Sequence, residues 1–432
     1  MPLDHDRRRL LAGLGFAMGA GALGMTTSRV WAAPQGELAA AASAASGAGT
    51  GVAPSTPRFL LVFLRGAYDA TNLLVPYAAP FYYEARPNIA IAAPGRAPAG
   101  QRAAVALDAH WGLAPSAADS LMPLYQRGEL AFVPFAGCGD LSRSHFETQD
   151  AIELGQADSA RDAHDFNSGF MNRLAGVIGA RPGAVNEAMA FTDQLPLVMR
   201  GHVPLANQSL RDVGRGGVTE RQAQLISGMY AGTSMGTAVS EGFQVRGEIS
   251  RELADEMQAA SRNAVNAKGF ALEARRMARL MRDRVALGFI DVGGWDTHVG
   301  QGGATGALAS RLSELSQGLT AFADEMGQPA WSKTVVVVLS EFGRTFRENG
   351  NRGTDHGHGS VYWVLGGAVR GGRIVGEQLD VRRETLFQGR DWPVLTDYRA
   401  MLGGLLGRMY GLDAARLAQI FPEASPRDLG LV

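Results

Sequence analysis

The sequence predicts an α/β/α layered domain built around a largely parallel sheet. Three observations carry this. Runs of β-branched and apolar residues at 59–64, 130–135, 285–292 and 335–339 have the continuous hydrophobicity of strands buried on both faces. Stretches of helical periodicity separate them, and strands alternating with helices form parallel sheets covered by helix layers. Each run also ends in a polar cluster. A parallel sheet brings such ends to one edge, where α/β folds place their ligand sites.

Before the first strand the chain is built for export rather than packing. Arg7-Arg8-Arg9-Leu10-Leu11 precedes a soft apolar run, Ala12 to Met25, that is too short and glycine-rich for a membrane span. Paired arginines before Leu-Leu match the twin-arginine signal, and Val30-Trp31-Ala32 fits a small-residue cleavage rule. Residues 1–32 are therefore expected to be a signal peptide cut after Ala32, with an uncleaved anchor as the alternative. The partner implied is the twin-arginine translocation machinery. The mature protein is expected to be periplasmic or secreted, with no stable membrane span. Residues 33–57, rich in Ala, Gly, Ser and Pro, read as a flexible linker, so order should begin near Arg58.

Composition narrows the classes. The 432 residues are 46% hydrophobic and 19% charged, enough for a large core. Formal net charge is -1, and no block of like charge lies outside the N-terminus, which speaks against a nucleic-acid surface. The arginine bias, with Lys268 and Lys333 the only lysines, reflects codon composition. A lone cysteine, Cys138, rules out an internal disulfide and a thiolate metal cage, and is expected to be buried.

The elements follow in order. Strand 59–64 leads into Gly66-Ala67-Tyr68-Asp69, and short segments and turns fill 79–111. A helix is predicted over 115–127, with Leu121, Leu124 and Tyr125 on one face and Gly128 closing it. After strand 130–135 and a polar loop, Ser144-His145-Phe146-Glu147 forms a capping box that opens a helix to about Gly155. Residues 166–178 look helical, and short strands are expected near 189–191 and 197–199. Residues 200–275 read as a helical insertion, with a helical run from Glu248 to Arg284 broken near Gly269. Then come strand 285–292, the turn Gly293 to His298, a helix over 306–327, strand 335–339, a loop rich in Gly and Asn, strand 361–365 and helix 395–420.

The polar clusters hold Asp69; His145; Asp296 and His298; Glu341 and Arg344; and Asp355, His356 and His358. Carboxylate oxygen and imidazole nitrogen suit zinc, manganese or other first-row ions. Asp296 and His298 are two apart, which in an extended segment points both side chains the same way, and His356 and His358 share that spacing. Plainer readings stand beside these. Asp69 can cap a helix, Ser144 can serve only as a cap, Glu341 and Arg344 can form a salt bridge, and the His356/His358 pair can be turn residues. His110, beside Trp111, reads as a hydrogen-bonded, partly buried histidine, while His164 and His202 carry no motif.

Five motifs together resemble the exported bacterial family known as domain of unknown function 1501, placed among the alkaline phosphatase-like (sulfatase-like) proteins. They are FLRGAYDATNLLVPY at 63–77, LSRSHFETQD at 141–150, GGWDTH at 293–298, LSEFGRT at 339–345 and GTDHGHG at 353–359. The resemblance implies a mixed sheet between helix layers and a metal site that cleaves phosphate or sulfate esters. By position Asp69 resembles that superfamily's first aspartate and Ser144 its hydroxyl nucleophile. Asp296 with His298 looks like a later ligand group, Glu341 falls at the strand-end aspartate, and His356 or His358 resembles the final histidine. Two departures are visible. Glu341-Phe342 stands where alkaline phosphatases carry Asp-His, and the 296–298 spacing is shorter than the usual one. The formylglycine motif of classical sulfatases is absent, since Ser142-Arg143-Ser144-His145 has no proline.

The expectation is an exported hydrolase of phosphate or sulfate esters that uses a divalent metal, zinc, as one or two ions. Asp296, His298 and His356 would polarise the ester, with His145, Asp355 and His358 in the wider ligand set. Ser144 would attack, Asp69 and Glu341 would hold a second ion, and Arg344 would bind the charged oxygens. The rival is a non-catalytic binding or assembly protein on a degenerate version of the same fold, with an unknown exported partner.

Overall fold

A computed structural model describes residues 56–157, 164–179, 188–210, 220–236, 239–240 and 269–432. The signal peptide, nearly all of the linker and much of the expected helical insertion lie outside the described residues. The strands are β1 (Arg58–Leu64), β2 (Leu74–Val75), β3 (Val105–Ala106), β4 (Gly112–Leu113), β5 (Leu130–Gly137), β6 (Ala188–Ala190), β7 (Ala206–Asn207), β8 (Leu287–Val292), β9 (Thr334–Ser340), β10 (Ser360–Leu365), β11 (Arg373–Ile374) and β12 (Thr396–Asp397). The helices are α1 (Pro80–Ala85), α2 (Pro115–Gln126), α3 (His145–Leu154), α4 (Phe170–Val177), α5 (Glu220–Tyr230), α6 (Phe270–Asp283), α7 (Ala307–Met326), α8 (Tyr398–Tyr410) and α9 (Ala414–Ile420).

Nine of these strands form one sheet, in the order β11-β5-β10-β9-β1-β8-β6-β7, with β12 also pairing β5. β1 lies between β8 and β9, parallel to both. β10 alone runs antiparallel, between β5 and β9. β2, β4 and β3 make a small separate antiparallel sheet. The α/β class with a largely parallel sheet is therefore the observed one.

The reason the strands read as unbroken apolar runs is that the sheet is covered on both sides. Leu60, Val62 and Leu64 of β1 and Val336 and Val338 of β9 enter a core shared with α2, α6 and α7. Their neighbours Phe59, Leu61, Phe63, Val335, Val337 and Leu339 enter a second core with α4, α8 and α9. Each fully buried side chain of this kind stabilises the fold by about 1.5–3 kcal/mol.

Several boundaries differ from the sequence reading. Residues 197–199 form a single 3-10 turn rather than a strand. The helix expected from 166 starts at Phe170, after turns. The last helical stretch breaks in two because Gly411 takes a left-handed conformation (φ 64°) and closes α8. Among the described residues no helix is long and apolar enough to cross a membrane.

Leu339→Ala, at a fully buried site next to the functional edge, should cost about 2–5 kcal/mol in denaturant unfolding.

Candidate functional site

The C-terminal ends of β1, β5, β8 and β9 share one edge because these strands are parallel. β10 runs the other way, so it begins at that same edge. The whole loop from Glu341 to Gly359 consequently stays there rather than crossing the sheet. It folds tightly on itself: Gly343 N donates to His358 O at 2.7 Å, and a Cβ on Gly343 would stand 1.8 Å from Gly359 O. The motif needs glycine at that point.

Arg344 ties the edge together. Its side chain has no solvent exposure. It donates to the carbonyls of Gly66 and Ala67 after β1, to Thr354 O in the loop, and to Asp296 Oδ1 after β8. Gly66 completes the join, with φ 112° and its N–H on Glu341 Oε1 at 2.8 Å. A Cβ there would meet Asp296 N at 2.9 Å.

Three ligand-type atoms converge in front of this support. One ligand atom each from His145, Asp296 and His356 lies within 4.8 Å of the other two, the one such group among the described residues. Asp296 Oδ1 is 3.6 Å from His356 Nε2 and 3.7 Å from His145 Nε2. A tetrahedral ion with bonds of about 2.0–2.1 Å holds its ligand atoms roughly 3.3 Å apart, so the spacing suits one ion.

The far sides of the rings settle which nitrogens are bare. His356 Nδ1 faces Arg143 O at 2.9 Å, and a carbonyl only accepts, so Nδ1 carries the proton. His145 Nδ1 faces the Glu341 carboxylate at 2.7 Å and is a donor for the same reason. In that tautomer each Nε2 carries the lone pair; the two atoms lie 3.7 and 3.6 Å from Asp296 Oδ1, and His356 Nε2 is also 3.1 Å from His298 Nε2. His145 Nε2 is buried and has no hydrogen-bond partner. Burial, above all, lowers the His356 pKa and favours its neutral form. Two bare imidazole nitrogens and a carboxylate oxygen, each imidazole backed by an acceptor, form a donor set that fits zinc or a neighbouring ion.

A family model described as Protein of unknown function (DUF1501) matches residues 56–421. The chain belongs to that family. Comparisons with curated proteins and with solved structures find no match.

Within this DUF1501 chain the remaining expected residues take other places. His298 abuts the group without belonging to it. Its Nε2 is 2.9 Å from Asp296 Oδ1, 3.1 Å from His356 Nε2 and 3.4 Å from Arg344, while Nδ1 is 3.2 Å from Asp355. Asp355 thus supports His298. Glu341 is fully buried and has spent its oxygens on Gly66 N, His145, Gln149 and Ser340, so it orients His145 and forms no salt bridge with Arg344. Asp69 stands apart in a buried ion pair with Arg86, with Gln301 donating to it at 2.6 Å. Asp69 and Glu341, expected to share a second ion, do not fall in one group of ligand atoms among the described residues. Arg344, expected to bind substrate oxygens, has its donors occupied by the protein.

Ser144 caps α3, its Oγ accepting from Glu147 N at a long 3.5 Å. His358 instead packs at a tilt against Phe387, with centroids 4.9 Å apart, and its pKa is pushed down to about 4 by burial, with Arg143 adding to the shift. Phe342 packs on the rings of His145 and His356, with centroids 5.0 and 5.2 Å away. Cys138 is buried, and His110 is exposed rather than partly buried. The sequence reading missed the Arg86 partner of Asp69 and the roles of Gln149 and the Arg143 carbonyl. Only Gln149 carried a signal, lying one turn after His145 on the same helix.

Two predictions follow from these placements. Asp69→Asn, which strips the charge from the buried Arg86 pair, should destabilise the fold by about 3–5 kcal/mol, as chemical denaturation will read. The second concerns acid. Burial raises Glu341, but hydrogen bonds led by His145 outweigh it and hold the carboxyl below its ordinary value. Asp296 follows the same pattern, with Arg344 outweighing burial, and Asp355 is lowered mainly by Asn349. The unfolded chain therefore takes these protons first. The stability these groups contribute is complete above the ordinary carboxylate pKa of about 4, and is lost as pH falls through the depressed folded values. Melting temperature should drop on acidification below that point, and Glu341→Gln should make the drop shallower.

Proposed function

We propose that this protein is an exported metal-dependent hydrolase of phosphate or sulfate esters. In this reading His145, Asp296 and His356 hold one divalent cation, zinc by donor type. The observation that carries it is the approach of His145 Nε2 and His356 Nε2 to Asp296 Oδ1, with an acceptor on each Nδ1 and His145 Nε2 buried without a hydrogen-bond partner. Three protein donors leave a position for water or substrate, the pattern of catalytic rather than structural zinc. The Asp296 side chain is 47% exposed and that of His298 39%, so the group opens to solvent on that side.

A bound zinc ion would supply Lewis acidity and bring the pKa of an attached water to about 7. The chain's own groups supply the rest. His298, held at Nδ1 by Asp355, faces the group with Nε2 and is the proton carrier for the leaving oxygen. Ser144 offers a hydroxyl at the N-terminus of α3, where free N–H groups favour negative charge. Arg344 holds Asp296 in place from behind.

Two further points belong to this reading. Arg7-Arg8-Arg9-Leu10-Leu11 supports export by the twin-arginine machinery to the periplasm or beyond. The order of ligand groups after β8 and β9 on a mixed sheet supports placement among the alkaline phosphatase-like proteins, with Asp69 and Phe342 as its departures. The rival is a non-catalytic binding protein with a closed ion site. The contacts of His298 Nε2 with Asp296 and His356 favour it, because a fourth donor there would fill a tetrahedral shell.

Alanine variants separate the two. His145→Ala, Asp296→Ala and His356→Ala should each lose bound metal by elemental analysis. His298→Ala should keep the metal and lose about 10²–10⁴-fold in turnover on a panel of phosphomonoesters, diesters and sulfate esters. Loss of metal from His298→Ala, with no turnover by the parent protein, would establish the closed site instead.

A further inference from the structure

We infer that Asp391 is a positioning residue for His356, acting through two arginines that hold opposite parts of that histidine. The inference rests on the reading of His356 as a ligand. Asp391 lies in a separate loop, and its side chain is fully buried. Its Oδ2 accepts from Arg143 at 2.9 Å and from Arg390 at 2.9 Å. Arg143 presents its carbonyl to His356 Nδ1 at 2.9 Å. Arg390 donates to the backbone carbonyl of His356 at 2.8 Å. One carboxylate thus fixes the group that sets the ring's tautomer and the group that fixes the residue's main chain.

Two more observations point the same way. Arg143 is a non-glycine residue at φ 53°, a conformation that has to be held from outside. Its guanidinium is that hold, anchored on Asp391 and on Gln388 at 2.9 Å. The Asp391 backbone is itself pinned. Its carbonyl accepts from Phe387 N at 2.8 Å, and it bridges to Thr345, next to Arg344. The other oxygen, Oδ1, makes no hydrogen bond, so the carboxylate's contacts run through the atom that grips both arginines.

The consequence is specific. Without the Asp391 charge, Arg143 keeps only Gln388, and its peptide can turn the carbonyl off Nδ1. The proton of a neutral imidazole then moves to Nε2, the nitrogen that faces Asp296. His145 is held by Glu341 instead and should not change.

Nitrogen-15 NMR of histidine-labelled, metal-free protein reads the tautomers directly. In the parent protein His356 should carry its proton on Nδ1. In Asp391→Asn it should shift wholly or partly to Nε2 while His145 stays as it was, and zinc affinity should fall about 10–100-fold. A folded Asp391→Asn protein with His356 still protonated on Nδ1 overturns the inference. Should that variant fail to fold, Arg143→Ala cuts the same link at a part-exposed side chain. It is expected to shift the tautomer too, and an unshifted His356 there is equally fatal. If the parent protein takes up no zinc, the proposed centre falls, while the metal-free tautomer comparison still decides the role of Asp391.

Discussion

The Arg344 guanidinium is the constraint on which the site depends. Three strands deliver three loops to one edge, but adjacency of strand ends leaves the loops free to vary by several ångströms. Arg344 removes that freedom with one planar group, which takes carbonyls from the loop after β1 and from the loop before β10, and a carboxylate from the loop after β8. A lysine has a single point of charge and no fork, so it cannot satisfy acceptors in several directions at once. Buried with its donors filled, the guanidinium is costly to disturb, because any acceptor that leaves exposes an unpaired buried charge.

Behind this lies a second, buried polar layer. Asp69 and Arg86 form its ion pair, and Arg86 also donates to the carbonyls of Thr345 and Phe346. Gln301 joins Asp69 to the hydroxyls of Thr297 and Thr354. Those threonines adjoin His298 and Asp355. The layer therefore fixes the backbone of both loops that carry the outer pair, just as Glu341 fixes His145 from the first position after β9.

The sequence announced the fold more clearly than the division of labour. Residues 59–64 and 335–339 had to be strands because both faces of each run are apolar, and parallel neighbours had to bring Asp69, His145, Asp296 and Glu341 to one edge. The direction of β10 was invisible, since Val361 to Leu365 would read the same in either orientation. Nor could residue type separate a ligand from its support. Glu341 and Asp69 are carboxylates at strand ends, as a ligand would be, yet each is consumed by protein partners. Arg86, which claims Asp69, sits in a stretch of turns with no pattern to mark it. His356 and His358 have identical spacing to Asp296 and His298, but the first pair separates because the tight Gly343 contacts bend the chain between them. Phe342 looked like a lost ligand against the superfamily pattern. In the fold it is an apolar wall for two imidazole rings.

That wall bears on what kind of site this is. On the inner side Phe342 and Glu341 surround His145, leaving Nε2 buried without a hydrogen-bond partner. On the outer side the half-exposed Asp296 and His298 stay in contact with water. A purely structural ion would be better served by ligands buried on every side, where competing water is excluded. A catalytic one needs this gradient, with the tautomers locked from the protein side and the reacting face open. The asymmetry of burial across the His145–Asp296–His356 group, more than the identity of any one residue in it, is what favours chemistry over scaffolding.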